Sequence, residues 1–202
     1  MSESEQELPS AAVVVQMQVA DWDVWKANFD DAEDARRQGA SALGHHINRA
    51  EDDPNAISVY VAIADVDKAK TFLGSDELRE ILQRGGVLGP PDLMWMRPLR
   101  ESIVWDRELP AFIVRHTVAD LDEWLAGYDA AADLRNANGI IGHAANGLLD
   151  DPSMAVVYHQ AESFDTLREF LAMPELRAAM DAAGVTSEPD VSFHTGGWGK
   201  RY

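Results

Sequence analysis

One stretch of this chain is written twice, and a repeat of that length leaves few architectures open. Gly44-His45 leads through Asp52-Asp53-Pro54 to Val59-Tyr60, and Gly142-His143 leads through Asp150-Asp151-Pro152 to Val157-Tyr158 at the same internal distances. An internal duplication makes each copy the same supersecondary unit. Aspartates that bond their own backbone, followed by a proline with preset φ, are turn chemistry. Each copy therefore predicts a strand-turn-strand hairpin.

The flanking segments repeat as well. In the first copy Val13, Val15, Met17 and Val19 alternate onto one strand face. Asp21 is an N-cap for a helix running to about Gln38, with Trp25, Phe29, Ala32 and Arg36 in one stripe. After the hairpin, Asp65 or Asp67 caps a second helix that Gly74-Ser75 interrupts, and Leu93 to Met96 gives a short last strand. The second copy offers a strand from Phe112 to Val118, the cap Asp120, the stripe Trp124, Tyr128, Ala131, Arg135, and a second helix capped by Asp165.

Each half thus reads strand, helix, strand, strand, helix, strand, the ferredoxin-like βαββαβ unit. Helices cover one face of such a sheet, and a second copy can cover the other. The expected fold class is α+β: two tandem ferredoxin-like repeats packed sheet to sheet as an intramolecular pseudo-dimer, an α+β barrel. The expected boundaries are a disordered tail over 1–10, a first repeat over 11–98, a connector over 99–110, a second repeat over 111–195 and a tail over 196–202. The connector holds Ile103, Val104 and Trp105, so it is expected to pack; the glycine-rich tail has no counterpart in the first copy.

Composition limits the partners. A formal charge of -18, with the 17 Lys and Arg dispersed, repels phosphate backbones and anionic headgroups, so neither nucleic acid nor membrane is expected. No apolar run approaches the roughly 20 residues of a spanning helix, and the first residues lack a signal-peptide pattern, which leaves the cytoplasm as the expected location. Without cysteine there is no thiolate nucleophile and no Cys-ligated metal.

With these residues in place, the chain resembles the dimeric α+β barrel proteins, in particular those similar to antibiotic-biosynthesis monooxygenases. Four features carry the resemblance. They are the order of elements in each half, the openings Asp21, Asp23, Trp25 and Asp120, Asp122, Trp124, the Gly-His and Asp-Asp-Pro elements, and Glu77-Leu78-Arg79 and Glu175-Leu176-Arg177 followed by Gly-Val and then Pro91-Asp92 and Pro189-Asp190. It implies a ligand cavity between each sheet and its own helices. Such proteins include oxygenases, isomerases and haem-degrading enzymes, so the fold alone selects no reaction.

Histidine is where the copies diverge. His116, His159 and His194 stand where the first copy has Met17, Val61 and Met96, whereas His143 repeats His45. His116, His143, His159 and His194 are the candidate catalytic residues; Trp124, Tyr128 and Arg135 are the candidate substrate-binding ones. An imidazole base would form a substrate anion that arginine and tyrosine hold. The plain alternative makes the aromatic stripe core packing and the two arginines complements of helix C-termini. Three functions stay open: a cofactor-independent monooxygenase or isomerase acting on a small aromatic or polyketide-like compound, a non-catalytic or stress-associated binder of a small hydrophobic molecule, and a His-ligated metal site in the second repeat. The aspartate pairs read as turns rather than a cation site. No cofactor is expected, the metal content is not assigned, and the chain is a monomeric pseudo-dimer or a homodimer.

Overall fold

The computed structural model describes residues 8–105 and 107–202. Of the expected 1–10 tail, residues 1–7 lie outside the described residues, while the Ser10 hydroxyl donates to the Ile63 carbonyl. The first half runs Ala11–Gln18 (β1), Trp22–Asp31 (α1), Glu33–Gly39 (α2), Ala42–Ala50 (β2), Ala56–Ile63 (β3), Val66–Leu73 (α3), Asp76–Arg84 (α4) and Asp92–Ser102 (β4). The second half repeats it: Leu109–Thr117 (β5), Leu121–Ala130 (α5), Ala132–Ala137 (α6), Gly142–Leu148 (β6), Met154–Gln160 (β7), Phe164–Leu171 (α7), Pro174–Ala182 (α8) and Asp190–Arg201 (β8).

Local chemistry sets most element ends. Asp53 and Asp151 accept from the backbone N–H two residues on, Asn55 and Ser153, and so close the hairpin turns. Asp21, Asp65 and Asp120 cap their helices by accepting from Val24, Lys68 and Glu123 N–H. The cap of α7 is Ser163, which accepts from Thr166 N–H; Asp165 lies inside the first turn instead. The expected single helix to Gln38 is broken at Ala32, and its copy at Ala131. In each case an arginine beyond the break, Arg36 or Arg135, donates from Nη1 to a carbonyl before it, Phe29 or Tyr128. A side chain that takes a carbonyl out of the helical ladder is a recognised cause of a kink.

The tandem sheets face each other and also join at their edges. The first sheet is ordered β4-β1-β3-β2 and the second β8-β5-β7-β6, and β2 pairs with β8 while β4 pairs with β6, closing an eight-stranded barrel. The halves match residue for residue: Met96 lies opposite Ala12 and Leu148, and His194 opposite Ala111 and Ala50. Helices cover the outside. Three apolar cores result, one under each set of helices and one inside the barrel.

Closure carries two strands past the expected repeat boundaries. Most of the supposed connector and tail is strand: β4 runs on through Ser102 to pair with β6, and β8 runs on through Arg201 to pair with β2. Free strand edges are a liability that closure removes. The glycines of the tail sit where other strands fill the interior. A Cβ on Gly196 would lie 2.1 Å from Asn48 Oδ1 and 2.6 Å from the Tyr158 hydroxyl, the two groups that hydrogen-bond across the halves at 2.9 Å. Gln160, fully buried, holds the connector by accepting from Val104 N–H at 2.8 Å. Among the described residues no helix is long and apolar enough to cross a membrane.

Two expected outcomes follow from this closure. Residues 1–98 alone would expose the unpaired edges of β2 and β4 and one apolar sheet face, so they should associate or unfold; a well-folded monomer at high concentration by light scattering would contradict the packing. The barrel interior also buries His46 and His194, and burial pushes both imidazoles down to about 4, with Asp52 partly opposing the shift at His194. Because the folded values lie below the ordinary 6.5, the stabilisation is complete above that pH and is lost as pH falls toward about 4. Thermal melts should therefore weaken steadily between these limits, by on the order of 1–3 kcal/mol per histidine. His194→Met, which copies Met96, should flatten the decline, and an unchanged slope would exclude His194 as a contributor.

Candidate functional site

Alternation along β5 and β7 turns Phe112, Val114 and His116, and Val157 and His159, toward the helices. There they line a cavity of about 400 Å³ between the second sheet and α5–α8. Trp124 and Tyr128 project from one face of α5 and Arg135 from α6 into the same space. Phe112, Phe170, Leu176 and Met180 are among its apolar walls.

The polar groups form an ordered set. The Tyr128 hydroxyl sits 3.0 Å from His143 Nδ1 and 3.1 Å from His159 Nε2. A phenol has one proton, so it donates to one ring and accepts an N–H from the other. His143 is only partly buried, at the outer end of this chain, whereas His159 is 4% exposed. Arg135 lies 3.9 Å over the Tyr128 ring and has no carboxylate partner among the described residues. His116 packs edge-on to Trp124 at 5.7 Å between centroids, and neither of its ring nitrogens, nor Nδ1 of His159, has a hydrogen-bond partner among the described residues.

Burial is the leading cause of every titration shift here. It pushes His116 down to about 4 and His159 well below its ordinary range, with Arg135 and His143 adding repulsion at His159. His143 is lowered by burial and then by Arg135, and Tyr128 is raised by burial. At neutral pH the cavity thus presents uncharged imidazoles, an un-ionised phenol and two guanidiniums, of which Arg177 is paired with Asp181 and Glu188 and Arg135 is not paired with a carboxylate among the described residues.

Of the residues singled out in the sequence, His116, His159, Trp124, Tyr128 and Arg135 line this cavity, and His143 joins it only through the Tyr128 hydroxyl. His194 does not. It faces the barrel interior, with Nε2 2.8 Å from Ser192 Oγ, because the adjacent Phe193 takes the helix-facing position on β8. Among the described residues no group of three His, Asp or Glu side chains is disposed to hold a metal ion, which removes the geometric basis of the His-ligated reading. Sequence reasoning missed the walls that α7 and α8 supply, Phe170 and Leu176; their recurrence as Phe72 and Leu78 in the first copy is the signal that could have found them.

The first half has the corresponding cavity, about 500 Å³, with Met17, Phe29 and Val61 where the second has His116, Tyr128 and His159. Its histidine, His45, meets a phenol by another route: Tyr202, at the end of β8, places its hydroxyl 2.8 Å from His45 Nδ1 and 3.4 Å from Arg36 Nη2.

No family model matches the sequence, and no curated protein matches it either. Solved structures do share the fold over nearly full length. An anthrone oxidase-like protein aligns with a TM-score of 0.67 at 12% identity, covering 95% of this chain and 92% of its own. A candidate monooxygenase from Lactobacillus acidophilus NCFM aligns at 0.63 with 11% identity, covering 94% of each chain. A ferredoxin fold protein from Listeria monocytogenes, described as related to antibiotic biosynthesis monooxygenases, aligns at 0.55 with 7% identity over 93% of this chain and 94% of its own. The chain therefore has the fold of the antibiotic-biosynthesis-monooxygenase-like α+β barrel proteins, with both halves of the barrel supplied by one polypeptide.

Proposed function

We propose that the second-half cavity binds a small aromatic or polyketide-like molecule with an acidic C–H or O–H and removes that proton, as a cofactor-independent monooxygenase or isomerase. The observation that carries this reading is the hydrogen-bonded series His159–Tyr128–His143, which links a buried imidazole on the cavity wall to a partly exposed one. A cavity of about 400 Å³ suits such a ligand, small-molecule sites being roughly 300–1,000 Å³. His159 takes the proton at its unpartnered Nδ1, Tyr128 and His143 carry charge outward, and Arg135 holds the ligand anion. A base lowered this far by burial is weak in the empty cavity. An anion seated beside it favours the imidazolium and restores its basicity. His116 offers the ligand a second hydrogen bond. Neighbours described as monooxygenase-like and anthrone oxidase-like make oxidation by O₂ the first outcome to test.

The first half supplies the substitutions, since its cavity accommodates them in an equivalent setting. With anthrone and related tricyclic phenols as probes, oxygen uptake reports oxygenation, and solvent deuterium entering the probe without oxygen reports isomerisation. His159→Val should lower turnover by about 100-fold or more, within the range of a lost general base. Tyr128→Phe should cut kcat with little change in KM, and His116→Met should chiefly raise KM, with circular dichroism unchanged in all three. Full turnover in the His116→Met, His159→Val double substitution would sink the proposal, and binding without either turnover signal would point to a carrier.

A further inference from the structure

The first-half cavity has Met17, Phe29 and Val61 in place of His116, Tyr128 and His159, yet a charged group is buried in its wall. Arg36 is 8% exposed and lines the cavity together with Val13, Val59, Phe72 and Trp25. Its Nη1 donates to the Phe29 carbonyl, its Nη2 lies a long 3.4 Å from the Tyr202 hydroxyl, and its Nε has no partner among the described residues. The guanidinium also stacks on the Phe29 ring at 3.5 Å. What is missing is a directly bonded carboxylate, although Arg36, after Lys200 and Arg37, is near enough to Glu33 to help hold that carboxyl below its ordinary range. Glu33, on the same helix, is engaged by Lys200 and Arg37, and no carboxylate among the described residues pairs with Arg36. A buried cation without a counter-ion is costly, and in a chain of net charge -18 the supply of carboxylates was not limiting.

We infer that this cavity is a second binding site, for an apolar molecule carrying an acidic group such as a carboxylate, sulfonate or phenolate, with Arg36 as the counter-ion. Three of the five guanidinium N–H groups remain for the ligand. The apolar walls take the rest of the molecule. Met17 and Val61 stand in place of His116 and the general base His159, so the ligand is held and not turned over. The inference is independent of any reaction in the second half, because it rests on a different cavity and a different arginine.

The probes are anilinonaphthalene sulfonate and phenylnaphthylamine, which share their rings and differ by the sulfonate; the acidic surface disfavours stray binding of the anion. Fluorescence and calorimetric titration of the full chain should give saturable binding of the sulfonate. Arg36→Gln should weaken one class of sites by about tenfold or more, as expected for a lost charge-assisted hydrogen bond. It should leave phenylnaphthylamine binding unchanged, and Arg135→Gln should leave the Arg36-dependent class intact. Equal loss of both probes, unchanged sulfonate binding, or no saturable sulfonate binding to the intact chain would overturn the inference. If Arg36→Gln does not fold, ¹⁵N-arginine labelling of the intact chain decides. The Arg36 Nε–H resonance, assigned by its absence in Arg36→Lys, should shift with the sulfonate and not with the neutral amine, and a resonance that ignores both excludes the site.

Discussion

Closure of the barrel is the constraint on which the other features depend. A four-stranded ferredoxin-like sheet has two free edges, and the long β4 and β8 cover those of the opposite half as well as extending their own. Among the described residues every strand is then paired on both sides, which leaves none of their edges to recruit another chain. Closure also fixes the sides of each sheet. One face lines an interior shared by both halves, and the other must be covered by that half's helices. The two equivalent cavities consequently lie outside the barrel, each between one sheet and its helices, where they can diverge independently.

The divergence is visible in a structural device both halves retain. In each, an arginine past a helix break donates back to the carbonyl of an aromatic residue and stacks on that residue's ring. This positions a guanidinium on the cavity wall whatever the remaining lining becomes. In the second half the aromatic residue is a tyrosine, whose hydroxyl engages two histidines. In the first half it is a phenylalanine, and Tyr202 supplies the phenol for His45 from the end of β8. Strand β8 is therefore part of the second sheet by its origin, and its far end with Tyr202 packs against the first half's core.

Much of this was legible in the sequence because turns, caps and alternation are local. The Asp-Asp-Pro turns, Asp21 and Asp120 as caps, and the shared strand face of Val13, Val15 and Met17 follow from residue type and spacing alone. Barrel closure is not local. Gly196-Gly197-Trp198-Gly199 has the composition of a linker, and its small residues make sense only when Tyr158, His46 and Trp105 are seen to fill the space beside them. The helix breaks at Ala32 and Ala131 were hidden for the same reason, since an arginine that bonds back to a carbonyl leaves no mark in the period. His194 shows the limit of the duplication argument: its replacement of Met96 was readable, but the side of β8 it occupies was not.

The remaining question is why histidines persist where the other copy carries apolar side chains. His116 is 4% exposed with both ring nitrogens unpartnered among the described residues, and Met17 shows that a thioether suits the equivalent position. A buried polar atom left unsatisfied costs about 1–3 kcal/mol, a large share of the margin by which a domain is stable. Drift tolerates one such loss readily. Here two losses, at His116 and at Nδ1 of His159, fall on one cavity that also holds an uncompensated arginine. Each of these groups would be satisfied by a ligand that accepts or donates hydrogen bonds and carries negative charge, so a single occupant relieves all three costs. The first cavity makes the same demand only through Arg36, and this difference in polar groups is the physical basis for assigning binding to both halves and proton transfer to one.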